Sequence, residues 1–240
     1  MAAKLLKIRY ICHVKTKKGI IEAPMGEKTV LLHTCCAPCS SAIIEAMMQN
    51  GITPVIYYCN PNIYPFEEYE IRKNECTRYA ESLGLEIVDD DYDHEGWLEA
   101  VKGLEDEPER GGRCLKCFKI RLLRTARYAQ SRGIKVITTT LASSRWKSLD
   151  QINEAGFWAC DQVTNRYFST ETSVSVDNPH NSRRFSTETP VSVDKTDDRV
   201  IWWPYNWRKN GLQERRLEII KEYDFYNQQY CGCEFSMRNK

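Results

Sequence analysis

No stretch of this 240-residue chain is long and apolar enough to span a bilayer. No charge excess singles out a partner either: 34 Lys and Arg against 33 Asp and Glu leave a formal net charge of +1. A secretory signal is not read at the basic N terminus. Its short apolar groups (Leu5, Leu6, Ile8, then Ile20, Ile21) are broken by lysines, and no small-residue cleavage site follows them. The expected location is therefore the cytoplasm, with no membrane partner. Glycine is absent from the turn CAPCSSA (36–42), so a phosphate-cradling loop is excluded there. What remains is the composition of an ordinary globular protein, 42% hydrophobic and 28% charged.

Against that background, eleven cysteines are many. An odd count without a signal argues against a disulfide framework, and clustered thiols in a reducing compartment more often bind metal or carry electrons.

The pattern along the chain alternates. Apolar or β-branched runs at 29–33, 55–58, 85–88 and 134–138 read as short strands, and the apolar pattern resumes at 200–203. Between them, helical spacing is read over 40–49, 66–83, 97–101, 114–131 and 149–160, and a last helix over 206–223. Such alternation predicts an α/β fold: a Rossmann-like, mostly parallel sheet with helices on both faces, completed by a Cys-rich C-terminal segment. In such sheets ligands gather beyond the carboxyl ends of the strands, where HTCCAPC (33–39) falls. Residues 1–28 are read as a basic extension, 29–236 as a single α/β catalytic domain, and 237–240 as a tail. A polar insertion at 164–199 interrupts the domain. In it RYFSTETSVSVD (166–177) recurs as RRFSTETPVSVD (183–194), ten of twelve positions being identical. Two polar copies cannot build a solenoid, so no chemistry is expected of them.

Cys12, Cys59, Cys76 and Cys160 are isolated, and the default for each is a small buried hydrophobe. The other seven form three clusters: Cys35, Cys36 and Cys39; Cys114 and Cys117; Cys231 and Cys233. Three chemistries fit. Two Cys-x2-Cys knuckles could hold zinc, although the gap between them far exceeds the roughly 15–20 residues of a zinc ribbon. Four thiolates could hold an iron–sulfur cluster. The Cys-Gly-Cys pair could cycle between dithiol and a strained, easily reduced disulfide. The radical S-adenosylmethionine pattern C-x3-C-x2-C does not fit, because position 42 is Ala.

LLHTCCAPCSS, YYCNPNIYPFEEYEIRKNE, RCLKCFKIRLLRTARYA, ITTTL, WRKNG and the terminal YCGCEFS, taken in order, resemble the cobalamin-independent epoxyqueuosine reductases. The resemblance covers most of 29–163 and 200–236. It implies an oxidoreductase that removes the epoxide oxygen of epoxyqueuosine at the anticodon wobble position of tRNA, the last step of queuosine synthesis, with an external electron donor. It implies a [4Fe–4S] cluster on Cys35, Cys36, Cys114 and Cys117, and one additional iron. Cys231 and Cys233 are implied either as a catalytic, redox-active disulfide or as ligands of that iron, and Cys39, where family members vary, either as an accessory metal ligand or as a bystander. With tRNA as partner, Arg121, Arg124, Arg127, Arg208 and Lys209 are candidates for RNA binding. The chain departs from the family at Asn206-Trp207, where Asp-Phe is common, at Asn227, where Arg is common, and at Ser144, where Pro is expected. The competing expectation is a four-cysteine zinc module that binds RNA without redox chemistry.

Overall fold

The apolar runs become strands of one sheet; the central ones are buried on both faces, whereas the edge run Ile87–Asp89 is half-buried to exposed. The computed structural model describes residues 20–169 and 199–237. Most of the expected N-terminal extension, the repeats from residue 170 onward and the last three residues lie outside these. Strands β1 (Thr29–Thr34), β2 (Thr53–Tyr58), β3 (Ile87–Asp89), β4 (Val136–Thr139) and β5 (Ile201–Trp202) form one parallel sheet in the order β3-β2-β1-β4-β5. Leu31 at the centre stands beside Val55 on one side and Ile137 on the other. Burial on both faces explains why TVLLHT reads as a continuous run rather than an alternation.

Right-handed crossovers fix which face each helix covers. Helices α1 (Ala37–Gln49) and α2 (Phe66–Leu83) follow β1 and β2 as the chain steps outward to β3. The chain then returns past β1 to β4 through α3 (His94–Val101) and α4 (Gly112–Ser131), and α5 (Leu149–Ser169) leads on to β5. The second group therefore lies on the opposite face. The last helix, α6 (Leu212–Tyr223), packs on α1, and α5 packs on α4. Helix α2 closes on Gly84, whose φ of 72° supplies the left-handed cap.

Several boundaries differ from the sequence reading. Helix α1 begins at Ala37 rather than residue 40, because Cys36 is its N-cap and Pro38 is tolerated in the first turn. Helix α5 runs on to Ser169, so the insertion starts inside a helix rather than after one. Helix α6 starts only at Leu212, after a left-handed Gly211. The described part of the expected extension is docked: Ile21 and Ala23 are buried, and Ile21 N donates to Asn50 Oδ1 at 3.0 Å.

One contact between layers is unusually tight. A Cβ on Gly156 of α5 would fall 2.2 Å from the ring of the buried Trp202 on β5. Gly156→Ala is therefore expected to cost about 1–3 kcal/mol through overpacking. A thermal melt should register roughly 2–4 °C per kcal/mol for a chain of this size. An unchanged melt would mean that the indole moves aside freely.

Candidate metal and thiol site

The strand order reverses direction between β1 and β4, and the loops leaving their carboxyl ends open a crevice there. The first cysteine cluster lines that crevice. Cys35, Cys36 and Cys39 place their sulfurs within 4.8 Å of one another. The chain puts them there because β1 ends at Thr34, Cys36 caps α1 in extended conformation, and Cys39 lies on the first helical turn. Thr140, just beyond β4, braces the turn: its Oγ1 accepts from Cys35 N at 3.3 Å and lies 3.5 Å from Cys35 Sγ.

The C-terminal segment reaches back to this cluster. Gln228 Nε2 donates to Cys36 Sγ at 3.1 Å and lies 3.7 Å from Cys39 Sγ. The Cys-Gly-Cys turn that follows is held on three sides. Arg72, buried on α2 and paired with Glu68, donates to the carbonyls of Tyr230 and Cys231, both at 3.3 Å. Tyr64 N donates to Gly232 O at 2.9 Å. Gly232 has φ of 106°, and a Cβ there would meet Ile63 Cγ1 at 2.8 Å, so both conformation and space require glycine.

The second cluster sits at the start of α4. Cys114 Sγ accepts from Arg110 N at 3.3 Å, and Cys117 is buried with Trp97, Val101 and Cys233 in one apolar group. All ten cysteines among the described residues are free thiols, Cys231 and Cys233 included. Cys59, Cys76 and Cys160 are buried in the main core, as expected of small hydrophobes. Cys12 lies outside the described residues.

Two cations face these thiols. Lys147 Nζ lies 3.2 Å from Cys231 Sγ. Burial alone would drive the Lys147 ammonium to lose its proton, but the Cys231 and Cys35 sulfurs override this and raise its affinity. Arg121 is 1% exposed beneath the crevice; it donates to Asn60 Oδ1, to Cys59 O at 3.2 Å and to His33 Nε2 at 3.3 Å. Burial pushes the Cys231 thiol up, and Lys147 with Arg121 outweigh it, leaving Cys231 below its ordinary value. Cys35 is also held well below its ordinary value, chiefly by hydrogen bonds from Cys36 and Cys39. Cys114 and Cys117 are raised, mainly by burial. Desolvation and the Arg121 charge hold His33 to about 3, so its imidazole is neutral.

The expected RNA-facing arginines do not share a surface. Three-residue spacing falls about 60° short of a turn per step, so Arg121 and Arg127 point about 120° apart on α4. Arg121 is interior, which corrects its reading as part of an exposed basic side. Arg124 pairs with Asp90 at 2.6 Å, Arg127 is exposed, and Arg208 donates to Lys147 O at 2.8 Å while Lys209 is exposed. Trp202, Trp203 and Trp207 are all buried. Sequence reasoning missed Lys147, Gln228, Arg72 and Thr140. Only His33, a polar residue inside an apolar strand, carried a visible signal.

A group of buried and half-buried soft thiols with amide and ammonium donors aimed at them suits a thiolate-bound metal. The trio Cys35, Cys36 and Cys39 could hold a metal, which gives Cys39 the same standing as its neighbours. Among the described residues, no helix is long and apolar enough to cross a membrane.

Comparison with known proteins identifies the family. The family model described as epoxyqueuosine reductase QueH matches residues 30–175 and 162–239. An epoxyqueuosine reductase QueH of Histophilus somni is 42% identical over 219 residues, 91% of this chain and 76% of that protein. One from Acinetobacter baylyi is 39% identical over 219 residues, 91% of this chain and 85% of that protein. One from Thermotoga maritima is 29% identical over 212 residues, 87% of this chain and 90% of that protein. The chain belongs to the epoxyqueuosine reductase QueH family.

Proposed function

We propose that this chain is an oxidoreductase that converts epoxyqueuosine to queuosine in the anticodon loop of tRNA, the last step of queuosine synthesis. Family membership supports the reaction, and the observation that supports its placement is the trio Cys35, Cys36 and Cys39, whose sulfurs lie within 4.8 Å of one another and which the C-terminal segment reaches through Gln228. Zinc-only RNA binding leaves the Cys-Gly-Cys turn and its half-buried Lys147 without a task, and the family names do not favour it.

Cys35, Cys36, Cys114 and Cys117 would hold a [4Fe–4S] cluster, with Cys39 as an accessory ligand. When bound, such a cluster supplies single electrons, and an additional iron would supply a Lewis acid for oxygen. The chain's own residues supply the rest. Turning an epoxide into an alkene and water takes two electrons and two protons. A Cys231/Cys233 dithiol releases two of each on closing to a disulfide, which an external donor must reopen. Gln228 holds Cys36 and Cys39 in place, and Arg72 with Tyr64 fixes the turn that carries the pair. Lys147 keeps a proton on Nζ beside Cys231 and can pass it to the leaving oxygen. Two carboxylates of α2 are already engaged, Glu68 by Arg72 and Tyr226, and Glu70 by Lys73.

Anaerobic purification tests the reading. The expected result is a brown protein absorbing broadly near 400 nm, bleached by dithionite, with about four iron and four sulfide. It should convert epoxyqueuosine to queuosine in tRNA, read by mass spectrometry of nucleosides. A colourless protein holding one zinc, and unchanged by iron–sulfide reconstitution, would overturn it.

A further inference from the structure

Beside the thiol site lies a cleft of about 560 Å³ lined by Arg110, Arg145, Trp146, Gln213 and Leu217. The cleft is open to solvent, a shape that suits one segment of a larger partner rather than an enclosed small ligand. Trp146 is 72% exposed, whereas Trp97, Trp202, Trp203 and Trp207 are buried. Leu217 in the same lining is also exposed, so two large apolar side chains share this open surface rather than one standing alone.

The exposure is imposed by the backbone. Arg110 donates to the carbonyls of Arg145 and Trp146, both at 2.9 Å. Ser144 Oγ accepts from Trp146 N at 3.3 Å, and Arg208 donates to Lys147 O at 2.8 Å. Every residue from 144 to 147 is thus pinned, and the indole is presented outward on a fixed turn. The Arg145 guanidinium has no hydrogen-bond or ion-pair partner among the described residues, and the lining contains no carboxylate. The next residue, Lys147, touches Cys231, and Arg110 N touches Cys114, so the cleft borders the thiols directly.

We propose that this cleft docks the single-stranded anticodon loop, with a base next to the reacting nucleotide stacked on Trp146 and its phosphate on Arg145. The inference rests on the proposed function and moves RNA contact from α4 to the 144–147 turn. An exposed aromatic between cations matches unpaired, polyanionic RNA: bases stack on the ring regardless of identity, and phosphates meet the guanidinium. A pinned turn spares the ordering cost of binding.

Trp146 is the most exposed tryptophan among the described residues, so its acrylamide quenching reports the cleft. Added tRNA bearing epoxyqueuosine should protect it. Trp146→Ala should weaken tRNA binding about tenfold, with Trp146→Tyr retaining most of the affinity. Arg145→Gln should lower the slope of log affinity against log salt by about one. Both side chains are exposed, and unchanged iron content with an unchanged melt will show that the fold persists. Wild-type protein that binds tRNA, with Trp146→Ala binding equally well and Trp146 still quenched, overturns this inference alone and leaves the cleft to a protein partner. Wild-type protein that binds no tRNA overturns the functional reading, and this inference with it.

Discussion

A Cys231→Ser enzyme is expected to lose multiple-turnover epoxide reduction by on the order of a thousandfold, with its melting temperature and its iron and sulfide near wild type. Serine fits the space, so packing is not at issue. What is lost is the thiol facing Lys147 at 3.2 Å, on a turn where Arg72 and Tyr64 fix the backbone and Gly232 alone fits the conformation. If the two sulfurs act as one unit, Cys233→Ser should lose as much and the double variant little more, since removing either partner already forbids the disulfide. Cys233 lies in the apolar group with Cys117 and Trp97, so its loss leaves Lys147 facing a thiol that can no longer close. Three outcomes discriminate. Full turnover of Cys231→Ser with excess chemical reductant removes the dithiol from the mechanism. Loss of about one iron with the cluster spectrum intact makes the pair metal ligands. Loss of turnover with iron retained supports the dithiol.

How far the sequence could anticipate this depends on the range of each interaction. The sheet was legible because parallel strands buried on both faces leave continuous apolar runs, as in TVLLHT and TPVIYY. The three cysteine clusters were legible because identity and local spacing suffice to find them. The start of α1 was read three residues late, since a proline ordinarily argues against a helix, although a first turn tolerates it. Arg121 was misread because three-residue spacing looks like one helical side but winds around it, and the buried Asn60, Cys59 and His33 that satisfy it come from elsewhere in the chain. Lys147 and Gln228 were beyond reach. Their sulfur partners are 84 and 192 residues away, and a single lysine in a short loop carries no periodic signal. Placement of the site was visible in sequence; the groups that charge and brace it needed the fold.

One such brace should dominate stability. Arg215 on α6 is 6% exposed and makes two hydrogen bonds with Glu45 of α1, from Nε at 2.7 Å and from Nη2 at 3.0 Å. It also pairs with Glu218 at 2.9 Å and Glu222 at 2.8 Å. Arg215→Ala would leave Glu45, itself 2% exposed, as a buried carboxylate without its cation, together with two further acids at the same place. The expected loss is about 3–5 kcal/mol, the cost of orphaning one member of a buried pair. At roughly 2–4 °C per kcal/mol the melt should fall by about 6–20 °C. This figure measures the penalty of the remaining charge rather than the worth of the pair, so the double variant Arg215→Met with Glu45→Met should recover most of the loss. Were the double variant no better than the single, lost packing between α1 and α6 would be the cause. The site gives the result a second reading. Helix α1 carries Cys36 and Cys39 at its start, Arg216 beside the brace donates to Pro38 O at 2.9 Å, and Gln228 follows α6 in the chain. Loosening α6 should therefore lower iron retention at temperatures well below the melt. Iron release measured against temperature in Arg215→Ala, compared with the double variant, separates a brace that serves the thiols from one that serves the fold alone.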